Sequence, residues 1–177
     1  FLAHLVRQAI GQRALAEALT LTVSGHWQQL TALGMTLHAC TNLVELDLSR
    51  NGLVSLEGLQ SLRRLKCLNV YYNVIGRLPE LDRLRSHTEL EVLDLRLNPV
   101  THAGRRHRLR ALVAAPSIRQ LDGREVSGAE RARVHQLLMA GGAAGDGGVA
   151  SGGVIDWEEE EEAPVEVAAP PAALSQH

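Results

Sequence analysis

The sequence predicts an α/β solenoid: a right-handed superhelix of short coils, with a short parallel sheet on its concave face and a helical cap at each end. Three observations carry this. Leu43, Leu46, Leu48, Asn51, Leu53 and Leu56 share their spacing with Leu65, Leu68, Val70, Asn73, Ile75 and Leu78, at a constant offset of 22 residues from Leu43 to Leu65. Leu90, Leu93, Leu95, Asn98 and Val100 begin a third copy, offset by 25 from Leu68 to Leu93 through an insertion near Ser86–Glu89. Phe, Tyr and Trp make up only 3% of the chain, as expected where near-identical coils pack side chains of one size and shape.

The shared pattern, L-x-x-L-x-L-x-x-N-x-L, is the leucine-rich-repeat signature. Leu46 and Leu48 alternate as on a strand, so both point to one face. Leu53 opens a return arm of period three through Leu56, Leu59 and Leu62. One coil cannot bury these leucines; stacked coils can. Asn51, Asn73 and Asn98 stand where each strand turns away. Turned inward, each amide can serve backbone groups of its own coil and the next one, so this Asn ladder reads as structural.

The elements follow in order. Residues 1–18 carry apolar positions at near-helical period, from Leu2 to Ala18, and read as an N-terminal capping helix weakened by Gly11. Residues 19–100 hold the repeats. In the first, degenerate coil, Leu19, Leu21 and Val23 alternate, Gly25 turns the chain, and Leu30, Leu33 and Leu37 return it. His26 reads as a surface turn residue. Pro79 suits the first position of a short helix, with Leu81 and Leu84 inward. Residues 101–140 read as a C-terminal cap. A helix stops near Ala115, a strand-like element spans Ile118–Asp122, and a helix opens at Ser127 and Glu130, which have capping-box spacing. Residues 141–177 are rich in Gly, Ala and Pro with acids at 158–162 and no apolar period, so a disordered tail is expected.

The formal charge of −2 hides a split. Residues 1–140 hold all 18 bases and 12 acids, a balance of +6; residues 141–177 hold 8 acids and no base. Nothing approaches the length of a membrane span, and no secretory signal opens the chain. Phe1 in place of Met suggests a fragment. Cys40 and Cys67 form neither a metal spacing nor a disulfide framework, and read as reduced thiols of a cytoplasmic protein. No Walker loop, G-x-S-x-G or H-E-x-x-H occurs. His102 and His107 have no helical ligand spacing, and arginines surround them. The sequence therefore predicts no enzyme, no metal and no cofactor.

What remains is surface. With Leu46, Leu48 and their equivalents inward, the alternate positions face the concave side: Glu45, Asp47, Ser49 and Arg50; Cys67, Asn69, Tyr71 and Tyr72; Val92, Asp94, Arg96 and Leu97. Both tyrosines of the chain stand there, and Tyr and Arg are favoured interface anchors. This face is the expected partner-binding site. Arg105, Arg106, Arg108 and Arg110 crowd the first cap helix without interleaved aromatics, which fits a solvated helix or a dock for the acidic tail better than a nucleic-acid site. In the tail, Asp156, Trp157 and Glu158 resemble the tryptophan-acidic peptides that kinesin light chains bind. The plainer reading is a solubilising tail.

Leu46-Asp47-Leu48-Ser49-Arg50-Asn51, Leu68-Asn69-Val70-Tyr71-Tyr72-Asn73, Asp94-Leu95-Arg96-Leu97-Asn98-Pro99-Val100 and Gln120-Leu121-Asp122-Gly123-Arg124 resemble the centrosomal leucine-rich-repeat family of centriolar satellites and its paralogue. The likeness runs from about Leu19 to Leu138. It implies a non-enzymatic adaptor at the centrosome or centriolar satellites, with centrosomal or pericentriolar protein partners. Such adaptors support recruitment of γ-tubulin complexes, microtubule organisation and spindle-pole integrity. The chain departs from the family in two ways: a short Gly/Glu tail replaces a coiled-coil extension, and His107 stands where members usually carry Tyr. The coils alone also fit phosphatase-regulatory, ciliary dynein-assembly and spliceosomal adaptors.

Overall fold

A computed structural model describes residues 1–10, 15–26 and 29–142, with side chains through Ala140. The strands form a six-stranded sheet in chain order: β1 Thr20–Thr22, β2 Glu45–Asp47, β3 Cys67–Asn69, β4 Val92–Asp94, β5 Gln120–Leu121 and β6 Arg124–Glu125. The first five run parallel and β6 returns antiparallel. Leu21, Leu46, Leu68, Leu93 and Leu121 stand in one row across the sheet, all buried. The repeat spacing sets this register, because a slip of one residue would turn every leucine to water.

At the entry to each strand one carbonyl accepts two N–H groups from the next coil. Val44 and Glu45 donate to Leu19, Lys66 and Cys67 to Val44, Glu91 and Val92 to Lys66, and Arg119 and Gln120 to Glu91. Leu19 thus belongs to the row of Val44, Lys66 and Glu91, none of them buried, and is 58% exposed. It does not join Leu21 and Val23 in the core, as simple alternation suggests. The strand proper starts one residue later.

The return arms close the core from the other side. Leu53, Leu56, Leu59 and Leu62 are buried without forming a helix, whereas Leu78–Ser86 forms a 3-10 helix with Pro79 in its first turn and Leu81 and Leu84 buried. His87 takes the place Leu62 holds one coil earlier, and it too is fully buried. Its Nε2–H donates to the Leu59 carbonyl at 3.0 Å, and Nδ1 lies 3.2 Å from Ser86 Oγ. Burial pushes the His87 imidazole below its ordinary range, although the backbone groups of Leu59 and Leu84 oppose this.

Each ladder Asn makes a repeated set of bonds. Asn73 Nδ2 donates to Leu48 O at 3.0 Å and Val70 O at 2.9 Å, while Oδ1 accepts from Leu53 N–H at 3.0 Å. Asn98 does the same for Val70 O, Leu95 O and Ile75 N–H. Asn51 serves Val23 O, Leu48 O and His26 N–H. The bonds reach the preceding coil, not the next one, since the Asn follows its strand and the coil already laid down lies against it. They remove buried unpaired backbone groups that would otherwise oppose stacking.

The ends are closed by helices. The first, α1 Leu2–Ile10, buries Leu2 and Val6; a short 3-10 turn, Leu15–Glu17, precedes β1. The expected α-helix therefore does not run through to Ala18. At the other end α2 Arg105–Ala114 packs on the Leu78–Ser86 helix, and α3 Gly128–Gly142 packs on α2. Ser127 and Glu130 form a reciprocal cap: Ser127 N–H donates to Glu130 Oε2 at 2.9 Å, and Glu130 N–H donates to Ser127 Oγ at 3.3 Å. Of the apolar positions expected on α3, Val134 is buried and Leu137 half-buried, but Leu138 and Ala132 face outward.

Candidate partner-binding face

The concave face is built by the residues between the buried leucines. Glu45, Cys67 and Val92 form one row across neighbouring strands; Asp47, Asn69 and Asp94 form the next. The second row has a local task as well. Asp47 Oδ1 accepts Ser49 N–H at 2.8 Å, Asn69 Oδ1 accepts Tyr71 N–H at 3.0 Å, and Asp94 Oδ1 accepts Arg96 N–H at 3.0 Å. Each of these side chains shapes the turn leaving its strand, a competition with regular backbone pairing typical of Asp and Asn. Asn69 Nδ2 also donates to Asp47 Oδ2 at 3.1 Å, tying the two coils together. These three side chains are thus partly committed to the fold, which alternation alone does not reveal.

Beyond the second row the chain turns through a left-handed residue in each coil. Arg50, Tyr72 and Leu97 have φ of 56°, 55° and 57°, and Gly25 holds the same place in the first coil at 84°. A non-glycine residue there costs roughly 1 kcal/mol or more. The side chains so placed point to water: Tyr72 is 45% exposed and Leu97 56%. Val74, two residues on from Tyr72, is exposed as well. Behind this rim, Tyr71 lies 6.3 Å from Tyr72, ring to ring. The Arg96 guanidinium sits 5.6 Å over the Tyr71 ring and grips Asp94 through Nε and Nη2, the latter at 2.6 Å. Arg96 is therefore paired before any partner arrives, and Asp94 offsets its charge.

Below the rim lies a shallow groove of about 370 Å³ whose walls include Thr20, Thr22, Glu45, Asp47, Cys67 and Asp94. Burial, followed by the carboxylates of Glu45 and Glu91, pushes the Cys67 thiol up, and burial does the same to Cys40. Neither supplies an activated thiolate. Among the described residues no three or more His, Cys, Asp or Glu converge as metal ligands, and no helix is long and apolar enough to cross a membrane. The groups exposed on this face offer hydrogen bonding, charge and apolar contact.

The arginine-rich cap helix is used inwardly. Arg108 donates to Glu130 at 2.7 Å and to the Leu121 carbonyl at 2.8 Å, and Arg110 grips Asp82 at 2.6 Å. The expectation of a solvated basic helix fails for these two, because packing on both neighbours draws them into ion pairs. His107 is buried and donates from Nε2 to Asp122 Oδ2 at 2.9 Å, while Asp122 Oδ1 accepts Leu95 N–H at 2.7 Å. Asp122 and Gly123 both have positive φ, 57° and 74°, and turn the chain from β5 into β6. The Asp-Gly pair is the sequence signal for that hairpin; reading Ile118–Asp122 as one strand-like element misses β6. Asp156, Trp157 and Glu158 lie outside the described residues.

Comparison with known proteins agrees with this geometry. The family described as Leucine Rich repeat matches residues 39–62. Centrosomal protein of 72 kDa from Mus musculus is 46% identical over 136 residues, 76% of this chain and 21% of that protein. Leucine-rich repeat-containing protein 36 from Homo sapiens is 40% identical over 126 residues, 70% of this chain and 17% of that protein. The chain spans about a fifth of the length of the curated relatives it matches. Among solved structures, the Drosophila melanogaster SNF/U2A′ complex contains a similar chain, with a TM-score of 0.55, 24% identity and 70% of each chain covered. The Mex67 LRR domain from Chaetomium thermophilum gives 0.53 at 22% identity, covering 74% of this chain and 99% of that one. These two show the fold. The chain is a leucine-rich-repeat protein related to Centrosomal protein of 72 kDa and to leucine-rich repeat-containing protein 36.

Proposed function

We propose that this chain is a non-enzymatic adaptor module that binds a protein partner through the concave face and its Tyr72–Leu97 rim. The observation that carries the reading is the exposure of two large side chains, Tyr72 and Leu97, on backbone positions that favour glycine. Exposed side chains held against a local backbone preference suit the role of interface anchors. The stacked coils fix them beforehand, which limits the entropy lost on association. The division into an N-terminal cap at 1–18, repeats at 19–100, a cap at 101–140 and a tail at 141–177 belongs to the same proposal.

The name of the similar centrosomal protein supports a place at the centrosome or centriolar satellites, within the cytoplasmic cytoskeleton. There the module would help recruit γ-tubulin complexes and so support microtubule organisation and spindle-pole integrity. Proximity labelling in dividing cells tests this. The wild-type chain should mark pericentriolar proteins, and a Tyr72→Ala/Leu97→Ala variant that melts normally should lose them. Labelling dominated by phosphatase, axonemal dynein-assembly or splicing proteins would refute the centrosomal assignment. Unchanged labelling by the variant would move the site off this rim.

A further inference from the structure

We propose that the occupant of this face is a basic segment of a partner protein. It would place a Lys or Arg over the carboxylate floor and a bulky apolar side chain on the Tyr72–Leu97 rim. The inference rests on the reading of the face as a protein-binding surface and names what that surface selects. Tyr72 and Leu97 hold equivalent places on adjoining coils and are both exposed, an apolar area that a protein partner would cover.

Charge then decides which partner. Residues 1–140 hold all 18 bases against 12 acids, yet the groove beside the rim is lined by Glu45, Asp47 and Asp94 with no Lys or Arg among its lining residues. The sign of the groove opposes the sign of the surrounding body. At the rim, Arg96 is closed on Asp94 and Tyr71, so it adds little positive field; Arg50 remains the exposed cation there. An acidic segment, the chain's own residues 158–162 included, would meet the carboxylates of Glu45 and Asp47, while Asp94 is already paired with Arg96. A cationic segment would meet the same two carboxylates with gain in encounter rate and in register.

The test uses the full chain as bait for a displayed library of random peptides, with affinities of the selected peptides read by fluorescence anisotropy. Peptides rich in Lys or Arg that also carry an aromatic or leucine side chain are expected. Their affinity should fall as salt rises. It should also fall about tenfold or more in Glu45→Lys/Asp47→Asn, as for loss of close charge pairs. Asp47→Asn keeps the turn, because Asn69 makes the same bond one coil later; thermal melting verifies that the double variant folds. Selection of neutral or acidic peptides that nevertheless fail on Tyr72→Ala/Leu97→Ala overturns the basic preference and leaves the binding face standing. Peptides indifferent to both variants overturn the face and the preference together. A library that enriches no cationic binder also overturns the inference.

Discussion

Asn73→Asp separates hydrogen-bond direction from shape at the centre of the ladder. Asn73 is only 2% exposed, and its amide holds two carbonyls and one N–H. Asn73→Ala removes one of two donors from Leu48 O and Val70 O, which Asn51 and Asn98 still serve, and leaves Leu53 N–H without its partner. The one buried group so orphaned costs about 1–3 kcal/mol, reduced by whatever water enters the space. Asn73→Asp keeps the acceptor for Leu53 N–H and nearly the same volume. It replaces the donor by a carboxylate oxygen facing Leu48 O and Val70 O across distances of 3.0 and 2.9 Å. Burial and the two carbonyls both oppose the charge, so the new carboxyl has a raised pKa in the folded state. The folded state then binds more protons than the unfolded one, and stability recovers as pH falls through that raised value. Urea denaturation followed by circular dichroism at pH 7.5 and 5.5 measures this. The Asp variant should be at least as unstable as the Ala variant at pH 7.5. Its deficit relative to wild type should shrink at pH 5.5, whereas that of the Ala variant should not. An Asp variant as stable as wild type at pH 7.5 would refute the ladder as the cause of the coils' alignment.

Other outcomes follow from the same structure. Leu68→Ala, in the fully buried row, should cost about 2–5 kcal/mol by chemical denaturation; a loss below about 0.5 kcal/mol would place Leu68 outside the core. His87 is held neutral, so its contribution is full above its ordinary pKa of about 6.5 and is lost as pH falls below it, by at most about 1.4 kcal/mol per pH unit. His87→Leu should flatten the stability profile between pH 6.5 and 5, and an unchanged slope in urea midpoints would refute the assignment. The Arg108 hydrogen bond, opposed by burial and aided by Ser127, lowers the Glu130 carboxyl to about 2. Its stabilisation is present above the ordinary carboxylate range and disappears as pH falls through 2, so Glu130→Gln should lower the urea midpoint at pH 7 and leave the acid-unfolded limb near pH 2 unchanged.

Much of this was legible in the sequence because a solenoid repeats its own evidence. The strands β2, β3 and β4, their register, the three Asn positions and the turn at Pro79 follow from spacing alone, since identical coils must stack leucine on leucine. The capping box at Ser127 and Glu130 is equally local. Where the repeat is imperfect, inference weakens. Leu19 looks like a core residue by alternation but sits in the carbonyl-bearing row that faces outward. His87 gives no sign that it fills a leucine position until the longer 3-10 helix above it shifts the count.

Periodicity is a one-dimensional property, so residue order carries the class of architecture and the rows of side chains, and it holds no familiar catalytic motif. How the charges are spent is set by packing in three dimensions. Asp94 closes on Arg96, Asp82 on Arg110, Glu130 on Arg108 and Asp122 on His107, pairs separated by between 2 and 28 residues. Packing likewise decided that Arg50, Tyr72 and Leu97 occupy left-handed turns, where a large side chain is thrust into solvent. Electrostatic pairing and exposure depend on distance in space, and a linear pattern fixes that distance only where the coils repeat.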